Sequence, residues 1–166
     1  MKLRNIFALA LVLSAVLTSC NKDKKRVEDF SYAFNTGQVV AAFAYDGTHA
    51  DNLSVDLKLE GQKDGTMITV TINNSISGET YNVHAHDAAD AGTTPNGTPY
   101  NETPNSGVFV QMIAGTGAAA SATQVTTMTV TELTETYEGF LVIHDPLQDM
   151  STTDPTTYVI LGSFAR

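Results

Sequence analysis

Apolar and polar positions alternate through most of the chain, the period of a half-buried strand. Leu53, Val55, Leu57 and Leu59 fall on one face and Ser54, Asp56, Lys58 and Glu60 on the other, while Ile68, Val70 and Ile72 alternate with Thr69 and Thr71. Between these runs, Gly61 to Gly65 holds an Asp64-Gly65 turn pair, so a hairpin is expected. Further strands are expected at Val39 to Tyr45, Thr80 to His86, Val108 to Ile113, Val125 to Leu133, Gly139 to His144 and Thr157 to Phe164, separated by clusters of Gly, Pro, Asn and Ser. No run has the period of an amphipathic helix. The pattern predicts an all-β domain, an eight-stranded antiparallel sandwich or Greek-key β-barrel. Two stretches interrupt it: Asp87 to Ser106, polar and 20 residues long, and Asp145 to Asp154. A loop as long as the first is either functional or disordered.

The N-terminus follows a different rule. Lys2 and Arg4 precede Ile6 to Leu17, an apolar run of 12 broken only by Ser14. This is the layout of a secretory signal peptide, over residues 1–19, and is too short to span a bilayer as a helix. Its end, Leu17-Thr18-Ser19-Cys20, resembles a bacterial lipobox. The resemblance implies that Cys20 is acylated and anchors the chain to a membrane, two or more acyl chains being enough for stable attachment. A lipoprotein of the Gram-negative outer membrane is then expected, facing either the periplasm or the cell surface. Residues 20–37 are expected to be the lipidated cysteine and a charged tether, and 38–166 the folded domain.

Composition narrows the chemistry. Cys20 is the single cysteine of 166 residues, which excludes an intramolecular disulfide, a thiolate zinc site and an iron–sulfur cluster. The formal net charge is −9, but the basic residues crowd the N-terminus. From residue 27 onward only Lys58, Lys63 and Arg166 stand against seventeen acidic residues, a net of about −14. Nucleic acid is thereby excluded as a partner, since it is bound through Lys and Arg. No nucleophile elbow, phosphate loop or zincin motif is present.

Three histidines sit where chemistry is conceivable. His84 and His86 share one face of a strand whose other face is Tyr81, Val83 and Ala85, so the rings are spaced roughly 6.5 Å apart along the chain. His144 ends a second strand, on a face with Phe140 and Val142. Neutral imidazoles are preferred ligands of copper and zinc, and solvated or hydrogen-bonded strand-end histidines are the plain alternative. Asp87 is positioned to orient His86 as a neighbouring carboxylate. His49, in the polar turn Asp46 to His49, reads as solvated. Met112 and Met150 are soft donors that usually serve as packing material.

The hairpin, the run Gly78-Glu79-Thr80-Tyr81-Asn82-Val83-His84-Ala85-His86-Asp87, the long polar loop, and Leu141-Val142-Ile143-His144 before a last strand Tyr158 to Phe164 together resemble the copper/zinc superoxide dismutases over about residues 38 to 166. The resemblance implies a superoxide-dismutase-like fold and copper ligation by His84, His86 and His144. The departures are specific. The family's long loop supplies a bridging histidine and a zinc site, whereas Asp87 to Ser106 contains no histidine, so zinc is not expected. No arginine stands near Thr156-Thr157-Tyr158 to guide the anion, and a strongly acidic domain repels superoxide. Three readings follow: a lipid-anchored protein that binds one copper ion for capture, transfer to an unidentified protein partner or weak redox chemistry; a copper-only superoxide dismutase; or a metal-free structural or interaction sandwich.

Overall fold

A computed structural model describes residues 25–151 and 154–166. The signal peptide, Cys20 and the first part of the tether lie outside the described residues.

The alternating runs fold as they read. β2 (Ser54–Gln62) and β3 (Gly65–Asn73) form a hairpin in which Leu57 faces Val70 and Leu59 faces Ile68. Leu57, Leu59, Ile68, Val70 and Ile72 are fully buried. The turn itself is Lys63-Asp64, and Gly65 opens β3 with φ of +143°. A Cβ there would run into the carbonyl of Thr126, so only glycine fits this approach. β1 (Val27–Ala33) pairs with β2, and β7 (Ala120–Thr126) with β3, giving a four-stranded sheet in the order β1-β2-β3-β7.

The second sheet has β5 (Tyr100–Pro104), β4 (Thr80–Ala88), β8 (Gly139–His144) and β9 (Tyr158–Ser163) in that order, with β6 (Val110–Ala114) also on β4. Every pairing is antiparallel. One edge of β4 is thus shared: Thr80 to His84 face β6, and His86 and Ala88 face β5. At the seam the Ala85 N–H donates to Phe109 O and its carbonyl accepts from Asn105 N, both at 2.7 Å.

The sheets pack face to face, as antiparallel sheets with one apolar side must. Val55, Leu57 and Val70 of one meet Tyr81, Val83, Ala85, Leu141 and Ile143 of the other in one core, closed by Phe109, Leu133 and Phe164. A second, smaller cluster lies on the outer side of the β4–β8–β9 sheet: Tyr100, Val142, Tyr158 and Leu161, with Val39, Phe43 and Phe140 against them. Both sides of this sheet are therefore covered.

The all-β, two-sheet arrangement stands, but it is an open sandwich and not a closed barrel, and nine strands replace the expected eight among the described residues. Val27–Ala33 is β1, so the domain begins inside the stretch assigned to the tether; its basic flank masked the alternation of Phe30, Tyr32 and Phe34. Val39 to Tyr45 is no strand. Its only regular part is a 3₁₀ turn at Ala41–Phe43, and Val39 and Phe43 bury against the outer cluster instead of entering a sheet. The strand expected at Val125 to Leu133 is displaced to Ala120–Thr126, and a π-helical turn over Glu132–Thr136 follows it. The long polar segment is not all loop: its residues 100–104 pair with β4 as β5.

Candidate metal centre

Alternation along β4 decides where the histidines go. Tyr81, Val83 and Ala85 are fully buried in the main core, so His84 and His86 emerge on the opposite side, toward the outer cluster. Val142 is the register partner of His84 on β8, and His144 lies two residues further along the same face. A register shift between Ile143 and His144 then places Tyr158 opposite His144.

The structure places the His84 ring beside each of the other two. Ring centroids are 5.8 Å apart for His84 and His86 and 5.2 Å for His84 and His144. Tyr158 meets His144 edge-on at 4.7 Å, and Tyr100 lies 5.2 Å from His86. His86 and His144 are only 5% and 4% exposed. Yet among the described residues no group of three or more His, Cys, Asp or Glu side chains is already gathered as a metal-holding set. The rings are neighbours, not a closed ligand cage.

Their hydrogen bonding is uneven. His86 Nδ1 is 2.9 Å from the carbonyl oxygen of Asn101. A carbonyl only accepts, so Nδ1 carries the proton and the lone pair is on Nε2. His84 Nδ1 and His144 Nδ1 are buried without any hydrogen-bond partner. An unsatisfied buried polar atom costs on the order of 1–3 kcal/mol, and here two occur in rings that touch. The Tyr100 hydroxyl beside them is also unsatisfied: the Tyr158 hydroxyl is near, but not in good hydrogen-bond geometry.

Burial and mutual repulsion keep these rings neutral. Burial first, then His86, lowers the His84 pKa to about 4; burial first, then His84 and His86, lowers that of His144 to about 4. Burial also lowers His86, opposed by the Asn101 carbonyl and the carboxylates of Glu102 and Asp87. At neutral pH all three therefore offer lone pairs without first losing a proton, as a metal ligand must.

The other expected residues fall elsewhere. Asp87 does not orient His86. Its carboxylate accepts from Asn105 Nδ2 at 2.6 Å and from the Tyr137 hydroxyl at 3.0 Å, and the Asn101 carbonyl takes the orienting place. His49 is not solvated but 6% exposed. Its Nδ1 donates to Ala50 O at 2.8 Å and its Nε2 accepts from the Tyr81 hydroxyl at 2.9 Å, which in turn accepts from Ile76 N. It is a structural histidine. Met112 and Met150 are 68% and 58% exposed, so neither is packing material. Cys20 lies outside the described residues.

Asp145, directly after His144, went unnoticed in the sequence. It is 3% exposed and accepts from the Tyr45 hydroxyl at 2.5 Å, Leu147 N at 2.9 Å and Gln148 Nε2 at 2.9 Å. It thereby pins the chain that leaves the site. Tyr100 had one visible signal, as the only aromatic residue in Asp87 to Ser106. Comparison of the chain with protein-family models, with curated proteins and with solved structures finds no match.

Proposed function

We propose that this protein is a lipid-anchored, superoxide-dismutase-like β-sandwich that binds one copper ion through His84, His86 and His144, for copper capture, transfer or weak redox chemistry. The observation that carries the reading is the pair of buried, partnerless nitrogens on His84 and His144, beside a His86 whose tautomer the Asn101 carbonyl fixes. Three neutral imidazoles, with His84 a ring neighbour of both His86 and His144, suit copper, which stands at the top of the divalent affinity order. Copper, when bound, supplies one-electron chemistry. The chain's own residues do the rest: the Asn101 carbonyl orients His86, and Tyr100 and Tyr158 restrict water. The return of β7 to pair with β3, past three intervening strands, agrees with the Greek-key plan of the resembled family. The anchor rests on the lipobox at Cys20 and on no structural observation.

Fast dismutation fits poorly. The 3₁₀ turn at Pro155–Thr157 carries no cation, and Arg166 is engaged with the Tyr137 carbonyl at 3.0 Å. A field that is negative overall slows an anionic substrate. A metal-free interaction sandwich is the second reading, favoured by the absence of a closed ligand set among the described residues. Copper content and EPR of the purified mature protein, with His144→Ala beside it, test the proposal. Stoichiometric copper with nitrogen-ligand splitting that changes in the variant is expected; no stoichiometric copper, or an unaltered spectrum, refutes it. A superoxide assay on the loaded protein then separates binding from turnover, and a rate near the diffusion limit would favour the copper-only dismutase.

A further inference from the structure

Three of the four buried side-chain polar atoms that lack a hydrogen-bond partner among the described residues belong to one cluster: His84 Nδ1, His144 Nδ1 and the Tyr100 hydroxyl. The copper reading uses the two nitrogens and leaves the oxygen unexplained. Tyr100 is fully buried, so bulk solvent does not satisfy it, and buried polar groups normally have a partner. The fold brings this hydroxyl to the histidines. Tyr100 and Tyr158 share the outer cluster with Val142, which is the register partner of His84. The Tyr100 ring lies 5.2 Å from that of His86 and the Tyr158 ring 4.7 Å from that of His144, and the two hydroxyls are near each other. With His84 beside both other histidines, the five side chains form a closed circuit of neighbours. The carboxylates next to this circuit are already engaged. Glu102 accepts from Asn96 Nδ2 at 3.2 Å and from the Thr98 hydroxyl at 3.0 Å, Asp87 from Asn105 and Tyr137, and Asp145 from Tyr45, Leu147 and Gln148. Of these oxygen donors only Tyr100 is without a partner.

We propose that Tyr100 is the fourth donor of the copper site, its oxygen joining His84, His86 and His144 on Cu(II) as a phenolate. The inference rests on the three-histidine reading. Tyr100 breaks its O–H bond and gives the proton to solvent, while an oxygen lone pair bonds to the metal; no electron is transferred. A cation held among buried groups reverses their preference for the neutral form, as it does for coordinating thiols. An anionic oxygen also balances part of the charge that three neutral imidazoles leave uncompensated in a buried place. It is a hard donor, and so favours Cu(II) over Cu(I), which takes soft ligands.

Absorption spectroscopy of the purified mature protein loaded with Cu(II) tests it, because a phenolate on Cu(II) gives an intense visible charge-transfer band that imidazoles alone do not. Wild type should show this band, and resonance Raman excited within it should enhance phenolate ring vibrations. Tyr100→Phe should keep stoichiometric copper, lose both signals and bind Cu(II) about tenfold more weakly. Tyr158→Phe, whose ring is as close to a histidine, should retain the band. Copper bound without the band, or a band that survives Tyr100→Phe, overturns Tyr100 as a donor while the three-histidine site stands. Absence of stoichiometric copper from the wild type overturns the site and the donor together. Where Tyr100→Phe does not fold, the wild-type Raman spectrum still decides: absence of phenolate vibrations refutes the donor, and their retention in Tyr158→Phe assigns them to Tyr100.

Discussion

Acid is the sharpest probe of the histidine cluster. The pKa values of His84 and His144 lie at about 4 in the fold, against 6.5 for an ordinary histidine, with burial the main cause. Between those values the unfolded chain binds protons that the folded one refuses. Their contribution is therefore complete above about pH 6.5 and is lost as the pH falls toward 4. One pKa unit corresponds to 1.36 kcal/mol, so a fully enclosed ring would cost about 2 kcal/mol between pH 7 and pH 4.5. His144 is close to that limit, and His84, half-buried and partly screened, contributes about 1 kcal/mol. Together the two should remove about 3 kcal/mol. The same acidification neutralises carboxylates and relieves the self-repulsion of a strongly negative domain, an effect of opposite sign. The useful quantity is thus the difference between wild type and His84→Gln/His144→Gln, whose amides do not titrate. Urea unfolding of the metal-free proteins between pH 4.5 and 7.5 would supply it. The difference should shrink by about 3 kcal/mol toward the acid end; parallel curves would mean that the rings are solvated and that the burial argument fails.

Two further outcomes separate framework from site. His49→Ala removes both of its ring hydrogen bonds from a buried position and should cost about 2–3 kcal/mol in urea unfolding, with copper content unchanged; altered copper content would place His49 in the site. Gly65→Ala forces a side chain into a left-handed backbone against the Thr126 carbonyl, and a loss of about 3 kcal/mol or more is expected by the same measurement. A loss under 1 kcal/mol would mean that β3 and β7 are not as closely apposed as described.

The β2–β3 hairpin was legible because burial there is one-sided, and a period of two records that. β4 keeps the period because its outer face carries Asn82, His84 and His86, while β8, covered on both sides, reads as one apolar run from Phe140 to Ile143. Of the misread strands, β1 alternates but adjoins a basic flank, and the others carry too few large apolar residues to display the period. β7 begins on small residues, Ala120 and Ala122, and exposes Val125, so its neighbours and not its own pattern make it a strand. β5 carries one large apolar residue, Tyr100, and is held by backbone bonds to β4. Val39 and Phe43 looked like a strand because they are apolar, but they cover the outside of a sheet. In the site, the face shared by His84 and His86 followed from spacing alone. Proximity to His144 did not, since it depends on which strands pair. The orienting group was illegible in principle: a backbone carbonyl at Asn101 has no residue type to betray it, and Asp87, the visible alternative, belongs to Asn105 and Tyr137.

The shared edge of β4 gives the centre a built-in clock. Ala85 lies between the two ligand candidates of β4, and its N–H is hydrogen-bonded to Phe109 O, in the chain that bridges from β5 to β6. That proton exchanges with deuterium only when the bridge lifts from the seam, a local opening that need not unfold the sandwich. A single amide thus reports how often the backbone between His84 and His86 is released, before any spectroscopy of a metal. A ligand clasping rings on either side of it would slow that one exchange rate far more than those in the β2–β3 hairpin.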